Sequence, residues 1–183
     1  MRKTLRISAR SVAFTGVVAA LYAVLTITLS AVGFGPIQFR IAEVLCVLPY
    51  FFPFTTWGIF VGCIIANIFS PYQLDIIIGP IASLLAAVMT MRIGMVWRAR
   101  GTGDLKYKIL ACMPPVVVNA VFIGALIAFY IAGFSDVKVF LAAMVINGLQ
   151  VGFGQLVVLY ALGLPLLIYL PKAHIYEKMV SYS

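Results

Sequence analysis

The chain has 183 residues, 64% of them hydrophobic and 10% charged, and its 13 Lys and Arg against 5 Asp and Glu leave a formal net charge of +8. A soluble domain is roughly 45–50% apolar and about 25% charged, so this chain has too little charge to cover a water-facing surface, and a mean hydropathy of +1.13 makes the bilayer its solvent. Nor does the net charge mark a nucleic-acid binder, because Lys and Arg gather at the ends of apolar runs rather than along a continuous face.

A hydrocarbon core of about 30 Å takes roughly 20 helical residues per crossing. The length therefore predicts an all-α, six-transmembrane-helix bundle with short loops and no separate soluble domain. Residues 1–11 form a basic leader, 12–171 a single six-helix membrane domain and 172–183 a tail.

The first apolar run, 12–32, follows Arg2, Lys3, Arg6 and Arg10. Its length exceeds the roughly 7–15 apolar residues of a signal peptide, so it reads as a retained span. Gly33, Phe34, Gly35 and Pro36 then make a turn. A second helix over 39–51, stopped by Pro53, is short for a crossing and reads as oblique or partly buried. The third covers 54–69 and ends before Ser70-Pro71; the fourth covers 74–95. A basic loop follows, with Arg98, Arg100, Lys106 and Lys108 around Gly101 and Gly103. The fifth span, 109–131, carries Pro114 and Pro115 in its first turns, and the last stretch, 137–170, is punctuated by Pro165 and Pro171. Basic residues crowd the leader, the fourth-to-fifth loop and the tail (Lys172, Lys178), so both termini are expected in the cytoplasm.

Ionisable groups inside spans cost about 2.5–3.5 kcal/mol each at the helix centre, which singles out Arg40, Glu43 and Asp75. Gln38, Asn67, Gln73, Asn119, Asn147, Gln150 and Gln155 are the uncharged polar candidates. Depth along each span puts most of them in the outer half, which predicts a concave site open to the outside; Gln155 falls in the inner half and reads as interhelical glue. Two further readings stay open. Arg40 and Glu43, one turn apart, either neutralise each other or serve a ligand, and Asp75 is either an N-cap or a site residue.

Small residues make stripes for close helix approach: Gly16 with Ala20, Ala19 with Ala23, Gly58 with Gly62, and Gly148 with Gly152. Cys46, Cys63 and Cys112 lie in apolar runs without ligand spacing, and the single histidine, His174, is in the tail. No catalytic constellation, metal site or cofactor is expected, and without a GxxxxGK[ST] loop any ATP-driven work falls to another subunit.

The block Gln38-Phe39-Arg40-Ile41-Ala42-Glu43 with Leu48-Pro49 stands behind the small-residue first helix and the Gly-Pro turn. Together with Gly62-Cys63-Ile64-Ile65-Ala66-Asn67 and the stretch from Asp75 to Gly79-Pro80, it resembles the queuosine-precursor transporter family QueT over about residues 13–170. That family supplies substrate-binding S components of energy-coupling factor (ECF) transporters. The resemblance implies an outward site for a 7-deazaguanine base, a transmembrane coupling protein and two cytoplasmic ATPases as partners, and residence in the cell membrane. It also implies that a small-residue stripe on the first helix, Ala19 and Ala23 or Gly16 and Ala20, meets the coupling protein, and that the subunit topples to release its cargo. The expected substrate contacts are Gln38, Arg40, Glu43, Asn67, Asp75, Asn147 and Gln150, with residues 33–38 as a lid. The alternatives are an S component for another vitamin or nucleobase, and a self-contained secondary transporter or membrane-embedded enzyme.

Overall fold

The computed structural model describes residues 8–33, 37–101, 104–134 and 136–173. Arg2, Lys3 and Arg6 of the leader, the turn at 34–36, and His174 and Lys178 of the tail lie outside the described residues, as does much of the expected lid. Among the described residues the regular structure is helical throughout. In order, α1 is Ala9–Thr28, α2 the short Ser30–Gly33, α3 Thr55–Asn67, α4 Asp75–Arg100, α5 Asp104–Ala111, α6 Met113–Ala132, α7 Val137–Val158 and α8 Leu164–Tyr169. A ten-residue 3-10 helix, Ile41–Tyr50, lies between α2 and α3, and a π-helical turn, Leu159–Gly163, joins α7 to α8.

Four continuous helical stretches are long and apolar enough to cross a membrane: Ala9–Thr28, Asp75–Arg100, Asp104–Ala132 and Val137–Lys172. The 3-10 helix and α3 are apolar but shorter. The expected second helix is thus present but wound differently. A 3-10 helix rises about 2.0 Å per residue against 1.5 Å in an α-helix, so ten residues reach roughly 20 Å rather than 15 Å. It is also a core element, with Ala42, Glu43, Cys46, Val47, Leu48, Pro49 and Tyr50 all buried.

Local chemistry sets the boundaries. Ser8 caps α1 by accepting from the Ser11 N–H, and Asp136 caps α7 by accepting from the N–H groups of Lys138 and Val139. Gly101 ends α4 with φ of 69° in the left-handed region, which glycine enters without steric cost. Pro115 lacks an N–H and so releases the carbonyl of Ala111 four residues earlier. The Thr90 hydroxyl on α4 donates to that carbonyl at 3.1 Å. The Tyr160 hydroxyl serves the neighbouring Ile109 carbonyl, also at 3.1 Å. A proline break at membrane depth is thereby repaired by side chains of adjacent helices.

Glycine fixes the closest crossings. A Cβ at Gly58 would lie 2.5 Å from the Thr15 carbonyl, and one at Gly62 2.6 Å from the Ala19 carbonyl, so α3 lies directly on the backbone of α1. Gly124 and Gly148 meet in the same way between the antiparallel α6 and α7, and Gly148 and Gly152 both face Ala120. Gly94 sits against the Tyr50 carbonyl, to which Arg98 donates at 2.7 Å. Around that point an aromatic cluster gathers Phe14, Phe52, Trp97 and Tyr107 into one end of the bundle.

The α1 stripe divides accordingly. Ala19 and Ala23 are buried, and Gly62 of α3 lies against the Ala19 backbone. Gly16 and Ala20 are exposed. Gly62→Val is expected to lower stability by about 1–3 kcal/mol through overpacking, seen as an earlier melting transition of the purified chain in detergent. Gly16→Val, with nothing within 4 Å of its added carbon, should melt with the parent. Equal destabilisation by both would contradict the α1–α3 crossing.

Candidate functional site

The charged residues expected in the bilayer are found in the core, in two linked groups. Arg40 precedes the 3-10 helix with an extended backbone, φ −77° and ψ 90°, so its side chain leaves the helix rather than stacking along it. Its guanidinium reaches Asp75, the first residue of α4, at 3.1 Å; the two side chains are 3% and 0% exposed. The Ser70 hydroxyl donates to the same carboxylate oxygen at 2.9 Å, and Arg40 Nε donates to the Gly33 carbonyl at 3.4 Å. The Asn67 amide at the end of α3 donates to the Asp75 backbone carbonyl at 2.9 Å. Gly79, one turn into α4, lies so close to the Asn67 amide and the Asp75 carboxylate that a side chain there would collide with both. This group ties the entry of the 3-10 helix to the α3–α4 connection.

This geometry sets aside one branch of each alternative. Arg40 pairs with Asp75 rather than with Glu43. Asp75 does not cap α4; the N-cap position is Leu74, with no side-chain cap, and the Asp75 carboxylate is taken up by Arg40 and Ser70. Its place in the first helical turn is still favourable for a negative charge.

The second group surrounds Glu43, which is fully buried. Tyr22 on α1 donates to its Oε1 at 2.6 Å and the Cys46 thiol to its Oε2 at 3.0 Å. The Ser83 hydroxyl on α4 lies 3.5 Å from Oε1 and 3.4 Å from the sulfur of Cys63. Asn67 Nδ2 reaches that same sulfur at 3.6 Å, so a polar seam runs from Asp75 through Asn67, Cys63 and Ser83 to Glu43 and Tyr22. Among the described residues Glu43 has no ion-pair partner. Its carboxylate is held by neutral donors alone.

Gln38 is buried beside Arg40. Asn147 and Gln150, by contrast, do not join the seam: both are half-buried, and the Asn147 amide donates to the Ala143 carbonyl of its own helix at 2.7 Å. Gln38, Arg40, Glu43, Asn67 and Asp75 are buried. A cleft between α4, α6 and the start of α7, about 460 Å³, is apolar, lined by Leu74, Ile78, Phe122, Phe129, Phe134 and Phe140 among others. The cost of charge in lipid does not flag Tyr22 or Ser83, and Cys46 reads in the sequence only as a thiol in an apolar run. A tyrosine and a serine in otherwise apolar helices were the available signal, since each hydroxyl needs a buried partner.

A helical chain with several membrane-length apolar segments and a buried ion pair has the architecture of a multi-pass membrane protein. The sequence profile of the QueT transporter family matches residues 12–172, and the chain belongs to that family. It is 41% identical over 71 residues to the queuosine precursor transporter QueT of Lactococcus lactis subsp. cremoris (strain MG1363). That alignment covers 38% of this chain and 42% of the relative, so the matched stretch spans less than half of each protein. No solved structure matches.

Removing one partner of a buried ion pair costs about 3–5 kcal/mol, whereas replacing both with apolar residues is often neutral. Asp75→Ala is therefore expected to destabilise the purified chain strongly, and Arg40→Met combined with Asp75→Leu to recover part of the loss. A single variant that melts with the parent would show that the pair does not hold the 3-10 helix to α4.

Proposed function

We propose that the chain is the substrate-binding S component of an ECF importer in the cell membrane, capturing a queuosine precursor, a 7-deazaguanine base, at the outer face for ATP-driven uptake. Membership of the QueT transporter family and the name of the Lactococcus lactis relative support the substrate class. The observation that carries the reading is Glu43: a fully buried carboxylate, aligned by Tyr22 and Cys46, whose surrounding donors are all neutral. A carboxylate only accepts hydrogen bonds. It suits the N–H-rich edge of a guanine-like ring, or the cation of an aminomethyl substituent, and in a dry site that pairing is charge-assisted. Gln38, buried on the segment that enters the 3-10 helix, supplies amide contacts, while the Arg40–Asp75–Asn67 group forms the closure above the ligand.

On this reading the 3-10 helix and α3 complete six crossings, with both termini cytoplasmic. Arg10, Trp97-Arg98, Arg100, Tyr107-Lys108 and Lys172 belong to the segments that meet around Phe14, Trp97, Tyr107 and Leu170, which supports a cytoplasmic basic end. A transmembrane coupling protein docks on the exposed Gly16 and Ala20 face of α1, where Val12, Val17 and Val24 are also exposed, and two cytoplasmic ATPases drive the cycle through it.

Hydrogen bonds to a charged group contribute about 1.5–3 kcal/mol, so Glu43→Gln is expected to weaken binding of 7-aminomethyl-7-deazaguanine by roughly tenfold or more, read by calorimetric titration of the purified chain. Unchanged affinity would remove Glu43 from the site, and co-purification of a flavin or thiamin would overturn the substrate class. Gly16→Leu with Ala20→Leu should leave that affinity intact and abolish uptake by cells that carry the coupling module.

A further inference from the structure

Three amides outside the hydrogen-bonded seam are fully enclosed. Gln38 and Gln155 are 1% and 0% exposed, and neither the oxygen nor the nitrogen of either amide has a protein partner; Asn119, 1% exposed, has an unpartnered Nδ2. Buried amides are almost always hydrogen-bonded, so each exception requires a reason.

They belong to one region. A Cβ at Gly154 would lie 2.5 Å from the Gln38 carbonyl oxygen and 2.9 Å from its carbon, so the residue next to Gln155 rests on the backbone of Gln38. Ala120, next to Asn119, packs its methyl group against Gly152, one turn before Gln155. The three amides thus sit within a turn of two glycine contacts that join α6, α7 and the segment entering the 3-10 helix. The π-helical turn begins four residues after Gln155, at Leu159, a departure from α-helical winding of the kind often found beside functional sites.

We infer that Gln38, Asn119 and Gln155 form a ligand-reading amide set that recognises a mixed donor–acceptor edge of a planar nitrogen heterocycle. Each primary amide both donates and accepts, and so matches an edge that alternates a ring N–H with a ring nitrogen or carbonyl. Glu43 can only accept, so the amides supply the mixed donor and acceptor chemistry that a carboxylate lacks. The assignment rests on the reading of the chain as a base-binding subunit. It adds Asn119 and Gln155, residues of α6 and α7, to a site otherwise built from the first half of the chain.

The test uses the full chain in lipid nanodiscs, with Gln155→Leu as the variant and 7-aminomethyl-7-deazaguanine as the probe. An amide held by the protein destabilises when lost, whereas one kept for a ligand does not. The expected result is an unchanged or higher melting temperature without ligand, together with at least tenfold weaker binding. Leu149→Ala, at an exposed position on the same helix, should keep the parent affinity. A lowered melting temperature with unchanged affinity would overturn the assignment and make Gln155 structural. If the parent chain binds no deazaguanine, the proposed substrate class falls. The amide set is then judged by ligand-free melting alone: an unchanged or raised temperature for Gln155→Leu supports it, and a drop overturns it.

Discussion

Hydrocarbon supplies no hydrogen bonds, so a polar group that this chain carries into the bilayer has to be met by another part of the chain or by something bound to it. Much of the architecture follows from that requirement. Thr90 and Tyr160 serve carbonyls near the Pro114-Pro115 break, and Arg98 serves the carbonyl at the end of the 3-10 helix. Asn67 reaches across from α3 to the first turn of α4. The 3-10 helix itself is tolerable because most of it is covered by protein, with Cys46, Val47 and Tyr50 wholly buried. Irregular backbone survives in a membrane only in such a setting.

Close packing is the second half of the same constraint. Between apolar helices in lipid there is little hydrophobic gain from association, and contact area and backbone approach matter more. Gly58 and Gly62 seat α3 on α1, and Gly124, Gly148 and Gly152 join α6 to α7. These contacts bring Tyr22 within 2.6 Å of Glu43 and place Gly154 on the backbone of Gln38. The polar interior is therefore positioned by glycines that have no chemistry of their own.

Composition, apolar run length and proline placement were enough to read the helical segments, and the ionic residues Arg40, Glu43 and Asp75 stood out because lipid penalises them. Pairing was not legible. Arg40 and Glu43 are neighbours by helical spacing, yet an extended residue before the 3-10 helix turns the arginine towards α4 instead. The surroundings of Gln155 were not legible either. Counting along α7 puts it in the inner half, and that count does not show that its neighbour Gly154 rests on the backbone of Gln38. A register of spans cannot reveal that an intervening segment has left the surface. The family profile shows kinship over residues 12–172 without fixing any of these contacts.

One helix connects the interior to the face proposed for the partner. On α1, Tyr22 donates to Glu43 from the buried side, while Ala20, two residues earlier, and Gly16 lie on the exposed side. Two residues of α-helix span only about 3 Å, so a force applied at the exposed stripe acts almost directly on the residue that aligns the buried carboxylate. The interlock of α1 with Gly58 and Gly62 opposes sliding of α1 over α3, since either backbone would have to separate first. A partner seated on Gly16 and Ala20 would then move α1, α3 and the Glu43 group together. Opening of the proposed site would have to come from elsewhere, and the Arg40–Asp75 pair, which joins the 3-10 helix entry to α4, is where two separately anchored elements meet.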